Sequence, residues 1–452
     1  MAIVPQSELF CWSQVEASSD LDRLRMTLES MPDEPLMRIL EQERKGRRDD
    51  YPIRPVWNSV IAGIVFEHKS IESLRRELRR NGELRQACGF DVFKGERAVP
   101  RASVYSRFLN KLFNHQEQID AMFDELVETV RALLPEFGKR LAIDSKAIDS
   151  HGRPTNHEQQ DGRRDTDANW GTKRYRGVRE DGSVWEKVKH WFGYKLHLIV
   201  DADYELPVAY SVTKASASDC PELLPMVNQL DQHHPGLLDE TDFLSGDKGY
   251  DSKLNNRDLW DIYRIKPIID IRNTWEQDPH LPRQLYPDQV DTIFHTERGE
   301  VLCRYRDDQP KEVDNYTPMA FEGFEAGREC LKYRCPAAVK GIVCTQRDLC
   351  NAAGHTEHGR IVRVPLDTQR RIFTPQARDS KTWAREYKHR TAVERVNSRF
   401  DVTFGFEHHF IRGLNKMTLR LGLALVVMLA MAVGRIRTNQ REHLRSLVKP
   451  AA

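Results

Sequence analysis

Two short apolar runs that each close on an aspartate limit most strongly what this chain can fold into: Leu141-Ala-Ile-Asp144 and Phe243-Leu-Ser-Gly-Asp247. Around them the hydrophobic pattern changes period. Gly193–Asp201 and Leu206–Thr213 alternate as strands and are separated by a turn-like Asp-Ala-Asp-Tyr segment. Pro221–Leu230 carries Leu223, Leu224, Met226, Val227 and Leu230 at helical spacing. Ser252–Tyr263 reads as a second helix, and Ile265–Ile271 returns to strand. This succession predicts an α/β layer fold built on a mixed sheet. A strand-end carboxylate in such a sheet projects from a rigid edge into a crevice. Placement alone also fits an ordinary turn acid in each case.

Upstream, residues 1–135 read as a helical domain, with Val60, Ile64, Ile71, Leu74 and Leu78 at helical spacing and Phe108, Leu112, Ile119, Met122, Phe123, Leu126 and Val130 continuing the pattern. Arg75, Arg76, Arg79, Arg80 and Arg85 form a basic cluster there, readable as a solvated helix face or as a phosphate-contacting surface. The strand-rich part occupies 136–271, with the polar stretch His151–Gly182 as a long loop. Residues 272–379 break the rhythm and read as an inserted, cysteine-containing subdomain. A strong helix is predicted from Ser380 to about Phe400, closing the core at 412. A buried helix from Arg412 to Gly434 and a basic tail complete the chain, giving a last unit at 413–452. The apolar run Leu421–Gly434 is shorter than the about 20 residues a membrane span needs, and Arg420 and Arg435 bracket it. No secretory leader is legible at the N-terminus, and the protein is expected in the cytoplasm.

At about 100° per residue, Tyr387, Arg390, Glu394, Asn397 and Asp401 fall within an arc of roughly 80°. Ala392, Val393, Val396 and Phe400 take the opposite side. Amphipathicity accounts for the apolar face, and a plain helix ion pair accounts for Arg390 beside Glu394. Taken with Asp144 and Asp247, however, Glu394 suits two-metal phosphoryl chemistry, in which two hard divalent cations about 3.5–4 Å apart need several oxygen ligands. Glycosidase chemistry needs only two acids and leaves the Tyr-Arg-Glu row without a role.

The segments LAIDSKAI, FGYKLHLIVDADYELPVAYSVTKASASD, SGDKGYDS and YKHRTAVERVNSRF resemble the DDE transposases of bacterial insertion sequences. They resemble in particular the group whose glutamate lies in a Tyr-x2-Arg-x3-Glu-x6-Lys signature. Tyr387, Arg390 and Glu394 match it in identity and spacing, and Asp401 stands where its final Lys would be. The likeness runs from about Lys139 to Gly413 and extends more loosely into the helical leader. It implies an RNase H-like catalytic core, with a helical N-terminal domain for DNA-end binding and an insertion before the last catalytic helix. It implies Asp144, Asp247 and Glu394 as ligands of two Mg²⁺ (or Mn²⁺) ions, and Tyr387 and Arg390 as contacts to the transposon end. The activity implied is cleavage at the element's ends and strand transfer into target DNA by a homodimer on double-stranded DNA in the bacterial cytoplasm. A transposase-derived DNA-binding protein, or an RNase H-like nuclease without strand transfer, are the alternatives.

Composition enters where it bears on that partner. The 69 Lys+Arg and 68 Asp+Glu nearly cancel to a net charge of +1. The whole chain is therefore no basic nucleic-acid sponge, although a sum hides where charges lie. Lys173, Arg174, Arg176 and Arg179, beside Trp170, form a cation-rich segment that is a solvated loop by default and a strand-gripping element in a DNA enzyme. Cys330, Cys335, Cys344 and Cys350 fit either free reduced cysteines or a structural Zn²⁺ site, though no Cys-x2-Cys knuckle occurs. There is no P-loop, so no nucleotide cofactor is expected.

Overall fold

The computed structural model describes residues 20–44, 51–152, 165–179, 183–272, 281–287, 292–306, 314–341, 344, 359–406 and 408–445. Among the described residues seven α-helices come first: α1 (Asp20–Ser30), α2 (Glu34–Gln42), α3 (Ile53–Val65), α4 (Ile71–Arg80), α5 (Gly82–Cys88), α6 (Ala102–Leu112) and α7 (Gln116–Leu133). The helical pattern that runs past Val65 is broken at residues 66–70, where Ser70 caps α4 by accepting from Ser73 N. The α4 helix carries Leu74 and Leu78 inward and Arg76, Arg79 and Arg80 outward.

The sheet follows: β1 (Arg140–Asp149), β2 (Asn169–Val178), β3 (Val184–Asp201), β4 (Leu206–Lys214), helix α8 (Leu223–His233), β5 (Phe243–Gly246), helix α9 (Lys253–Asp261) and β6 (Lys266–Ile269). Strand order is β2-β3-β1-β5-β6, with β4 on β3. β1 runs antiparallel to β3 and parallel to β5, and β5 runs parallel to β6. The apolar run Leu141–Ile143 is fully buried because this strand is covered on both faces. β3 is twice as long as its alternation predicts. Its first half pairs only with β2, and its second half pairs with β1 and β4. Gly193 sits at the changeover, where any Cβ would lie 2.1 Å from the Ile148 carbonyl oxygen. The expected loop at 151–182 is thus corrected over its last third: residues 169–178 form a strand, stabilised by β3 rather than by any apolar alternation of their own.

The insertion holds β7 (Arg283–Gln284), β8 (Ile293–His295), β9 (Val301–Arg306), β10 (Asp314–Pro318), β11 (Ala320–Glu325), β12 (Cys330–Arg334), the short helix α10 (Pro336–Lys340) and β13 (Ile361–Pro365). These form two small sheets around a core of their own, with Tyr333, Val364 and Phe373 at its centre. The chain then returns through α11 (Lys381–Tyr387), a 3-10 turn at Lys388–Arg390, α12 (Thr391–Val402) and α13 (Leu414–Arg437). The single helix predicted from Ser380 is therefore two, joined by that turn. α13 has the length and apolarity of a membrane span, but 89% of its most apolar window is buried within the fold. It packs on α1, α3, α7 and β4. Residues such as Leu421, Leu425 and Leu429 are fully buried there, each contributing about 2 kcal/mol. Leader helices, sheet and α13 share one hydrophobic core.

Candidate active site

Ile143 and Gly246 are the last residues that β1 and β5 pair with each other, and Asp144 and Asp247 stand one residue beyond. Asp247 stands at the end of β5, whereas Asp144, expected to close a short strand, lies mid-strand, because β1 runs on to Asp149 against β3. Neighbouring strands lie about 4.8 Å apart, so the two carboxylates face a common space. Backbone amides fix both side chains. Ser145 N donates to Asp144 Oδ1 at 2.7 Å, and Gly249 N donates to Asp247 Oδ1 at 2.7 Å, which makes Asp247 the cap of the 3-10 turn at Lys248–Tyr250. Gly249 is required there, since a Cβ would lie 2.5 Å from that same Oδ1. Below them Tyr250 is fully buried. Burial pushes the Asp144 carboxyl up to about 6; the Lys173 ammonium pulls against this, while the Asp247 charge adds to it.

Glu394 lies in the first turn of α12, which packs across β1 and β3. Its carboxylate accepts from Arg390 Nη1 at 2.7 Å. The Arg390 guanidinium sits 5.7 Å over the Tyr387 ring, and Tyr387 stacks on Trp383 at 4.8 Å with an interplanar angle of 11°. The Tyr-Arg-Glu row survives the 3-10 turn as a ladder of direct contacts. Its positive charge reaches Asp144, whose ionised form Arg390 favours. Asp144 and Asp247 come together, while Glu394 remains in its own helix ion pair. Among the described residues no three His, Cys, Asp or Glu side chains stand close enough to share an ion.

Two residues that the sequence reading passed over complete the surroundings. Lys146, two residues past Asp144 and on the same face of β1, reaches Asp401 on α12 at 2.5 Å. The spacing along β1 was the available signal; the partner is 255 residues away. Lys195 is buried and held by the Ala217 carbonyl and Asp219 at 2.9 Å. A cavity of about 220 Å³ beside Asp144 is lined by Lys146, Lys173, Lys189, Lys195 and Trp191, among others.

The remaining expected contacts divide. Lys173 and Arg174 lie on β2, where Arg174 is exposed and Arg176 occupies the rung opposite Glu186. Arg79 is exposed at the end of α4. Arg75 is largely buried and committed to Glu72 and the Pro100 carbonyl. Cys330 is buried, Cys335 and Cys344 are half-buried, all three are free thiols, and Cys350 lies outside the described residues.

The transposase DDE domain family matches this chain over residues 136–430, from just before β1 to within α13. The chain belongs to that family. No curated protein matches it. The match spans Asp144 and Asp247, the insertion and the Tyr-Arg-Glu ladder of this DDE transposase chain.

Proposed function

We propose that this transposase cleaves DNA at the ends of its insertion sequence and joins the freed 3′-hydroxyl to target DNA, with Asp144, Asp247 and Glu394 as its catalytic acids. The observation that carries the proposal is the pair of carboxylates just past the β1–β5 pairing, with Arg390 at the start of α12 and Glu394 in its first turn. The order β4-β3-β1-β5-β6, antiparallel on one side and parallel on the other, supports an RNase H-like core in which the β2–β3 ribbon is an added arm.

The donor set fits divalent metal. Asp144 is desolvated beside a second carboxylate, a pair that a bound cation would serve, and carboxylate oxygens suit Mg²⁺ or Mn²⁺. Asp144, Asp247 and Glu394 would hold the ions, with Glu394 exchanging its contact to Arg390. Bound cations of this kind activate the attacking oxygen and stabilise the leaving one. The chain's own residues do the rest. Arg390, released from Glu394, pairs with a phosphate oxygen, and Tyr387, held flat by Trp383, borders the strand. Lys173, Arg174, Arg176 and Arg79 neutralise phosphates further out. Two ends handled together call for a homodimer.

The test is a labelled duplex carrying the terminal repeats, incubated with Mg²⁺. Nicking at the repeat ends followed by joined product is expected, with Asp144→Ala, Asp247→Ala and Glu394→Ala each losing at least about 10³-fold in rate. Binding without cleavage in Mg²⁺ and Mn²⁺ would refute the enzymatic reading. Cleavage with no joined product would make the protein a nuclease.

A further inference from the structure

A cavity of about 520 Å³ opens between the helical leader and the segment that follows α12, and none of the three acids lines it. Lys69, Arg412, Lys416 and Arg420 do, and no Asp or Glu is among its described lining residues. None of these four cations is in an ion pair among the described residues. The Arg412 Nε and His68 Nε2 atoms are buried without a hydrogen-bond partner. Burial lowers the pKa of the half-buried Arg420 to about 10, and no carboxylate among the described residues is set against this charge. One wall is aromatic. Phe406 lies under the Arg420 guanidinium at 5.9 Å, and Phe410 is 62% exposed.

Cations without a described acidic partner in a concave site attract an anion, and an exposed aromatic face such as that of Phe410 accepts a planar apolar group. A volume of this size holds a ligand of several hundred daltons. A nucleotide combines both parts. We propose, resting on the reading that this chain works on DNA, that the cavity receives one nucleotide unit of a single strand. Its phosphate lies among Lys69, Arg412, Lys416 and Arg420, and its base against Phe410. A free mononucleotide offers the same chemistry and is the other source.

The test uses the full chain and a fluorescein-labelled 12-nucleotide single strand, with dAMP and inorganic phosphate as competitors. Lys69 and Lys416 are exposed, so the Lys69→Gln, Lys416→Gln double variant keeps the fold. It is expected to bind about tenfold more weakly and to lose about 1.4 from the slope of log K against log salt, roughly 0.7 per phosphate contact. Phe410→Ala is expected to weaken binding at least about fivefold with the slope unchanged. Competition by dAMP where phosphate fails assigns the pocket to free nucleotides as well; competition by oligonucleotide alone assigns it to the strand. Unchanged affinity and slope in both variants would overturn the proposal, as would phosphate competing as well as dAMP. Asp144→Ala should bind the strand normally, so loss of cleavage and loss of this site are read separately.

Discussion

Asp401 stands where the signature carries lysine, yet a cation is still present: Lys146 Nζ lies 2.5 Å from its carboxylate. The acid at the signature's lysine position is neutralised from the facing strand. Asp401→Lys therefore sets two ammonium groups against each other. It is expected to cost about 1 kcal/mol and lower the melting temperature by about 2 °C, with the Lys146→Glu, Asp401→Lys double variant recovering most of it. Equal losses in the single and double variants would show that the pair does not act as one. At this scale Asp144 and Asp247 were legible because an acid that follows an apolar run is local information, although only Asp247 stands at its strand's end and β1 runs on past Asp144 to Asp149. The Lys146–Asp401 pair was not, because only the fold brings β1 to α12.

α12 owes its place to a contact of the same hidden kind. Glu205, in the β3–β4 turn with φ of 57°, is almost fully buried and receives Arg395 at 2.7 Å, together with Arg399. A left-handed non-glycine residue costs about 1–3 kcal/mol and persists where its surroundings over-determine it, here through two guanidiniums. Glu205→Ala leaves Arg399 buried without its acid. It is expected to cost about 3 kcal/mol, read as a lower urea midpoint, and to reduce end cleavage by loosening the helix that carries Glu394. A midpoint unchanged from the parent would remove the clamp from the account. Element existence was readable wherever period was strong, as in α8, α9 and β4. It failed at β2, whose Asp-, Arg- and Gly-rich surroundings have no alternation, and at the break after Tyr387, which no Gly or Pro marks.

Across the whole molecule, the helical leader is part of the catalytic unit's core, so damage to it should reach the site. The insertion is joined by Arg371, which pairs with the fully buried Asp251 at 2.6 Å, and by Arg378, which donates to the Ile269 carbonyl oxygen. Leader and sheet are joined at His234, which ends α8 and bonds through Nδ1 to Glu128 of α7 at 2.7 Å. Burial lowers its pKa, but the hydrogen bonds to Asp124 and Glu128 outweigh that, and the net shift is upward from 6.5. A raised histidine stabilises the fold fully below its ordinary value, and that contribution fades as pH rises through the folded one. The stability gap between the parent chain and His234→Gln is thus expected to be widest below pH 6.5 and to shrink above it. A gap constant across that range would contradict the linkage. The near-cancellation of charge over the whole chain conceals this layout, with cations around the carboxylates and along the 520 Å³ cavity.

In the proposed mechanism Asp144 and Asp247 ligate divalent metal. Replacing a carboxylate by a thiolate keeps the charge but softens the donor, which Mg²⁺ rejects and Mn²⁺ accepts more readily. End cleavage by Asp144→Cys and Asp247→Cys, measured in each metal, is the most direct measurement. The expected result is loss of cleavage in Mg²⁺ with recovery in Mn²⁺ at both positions and no such switch for Lys146→Cys. Cleavage in Mg²⁺ at the parent rate by either cysteine variant would contradict it.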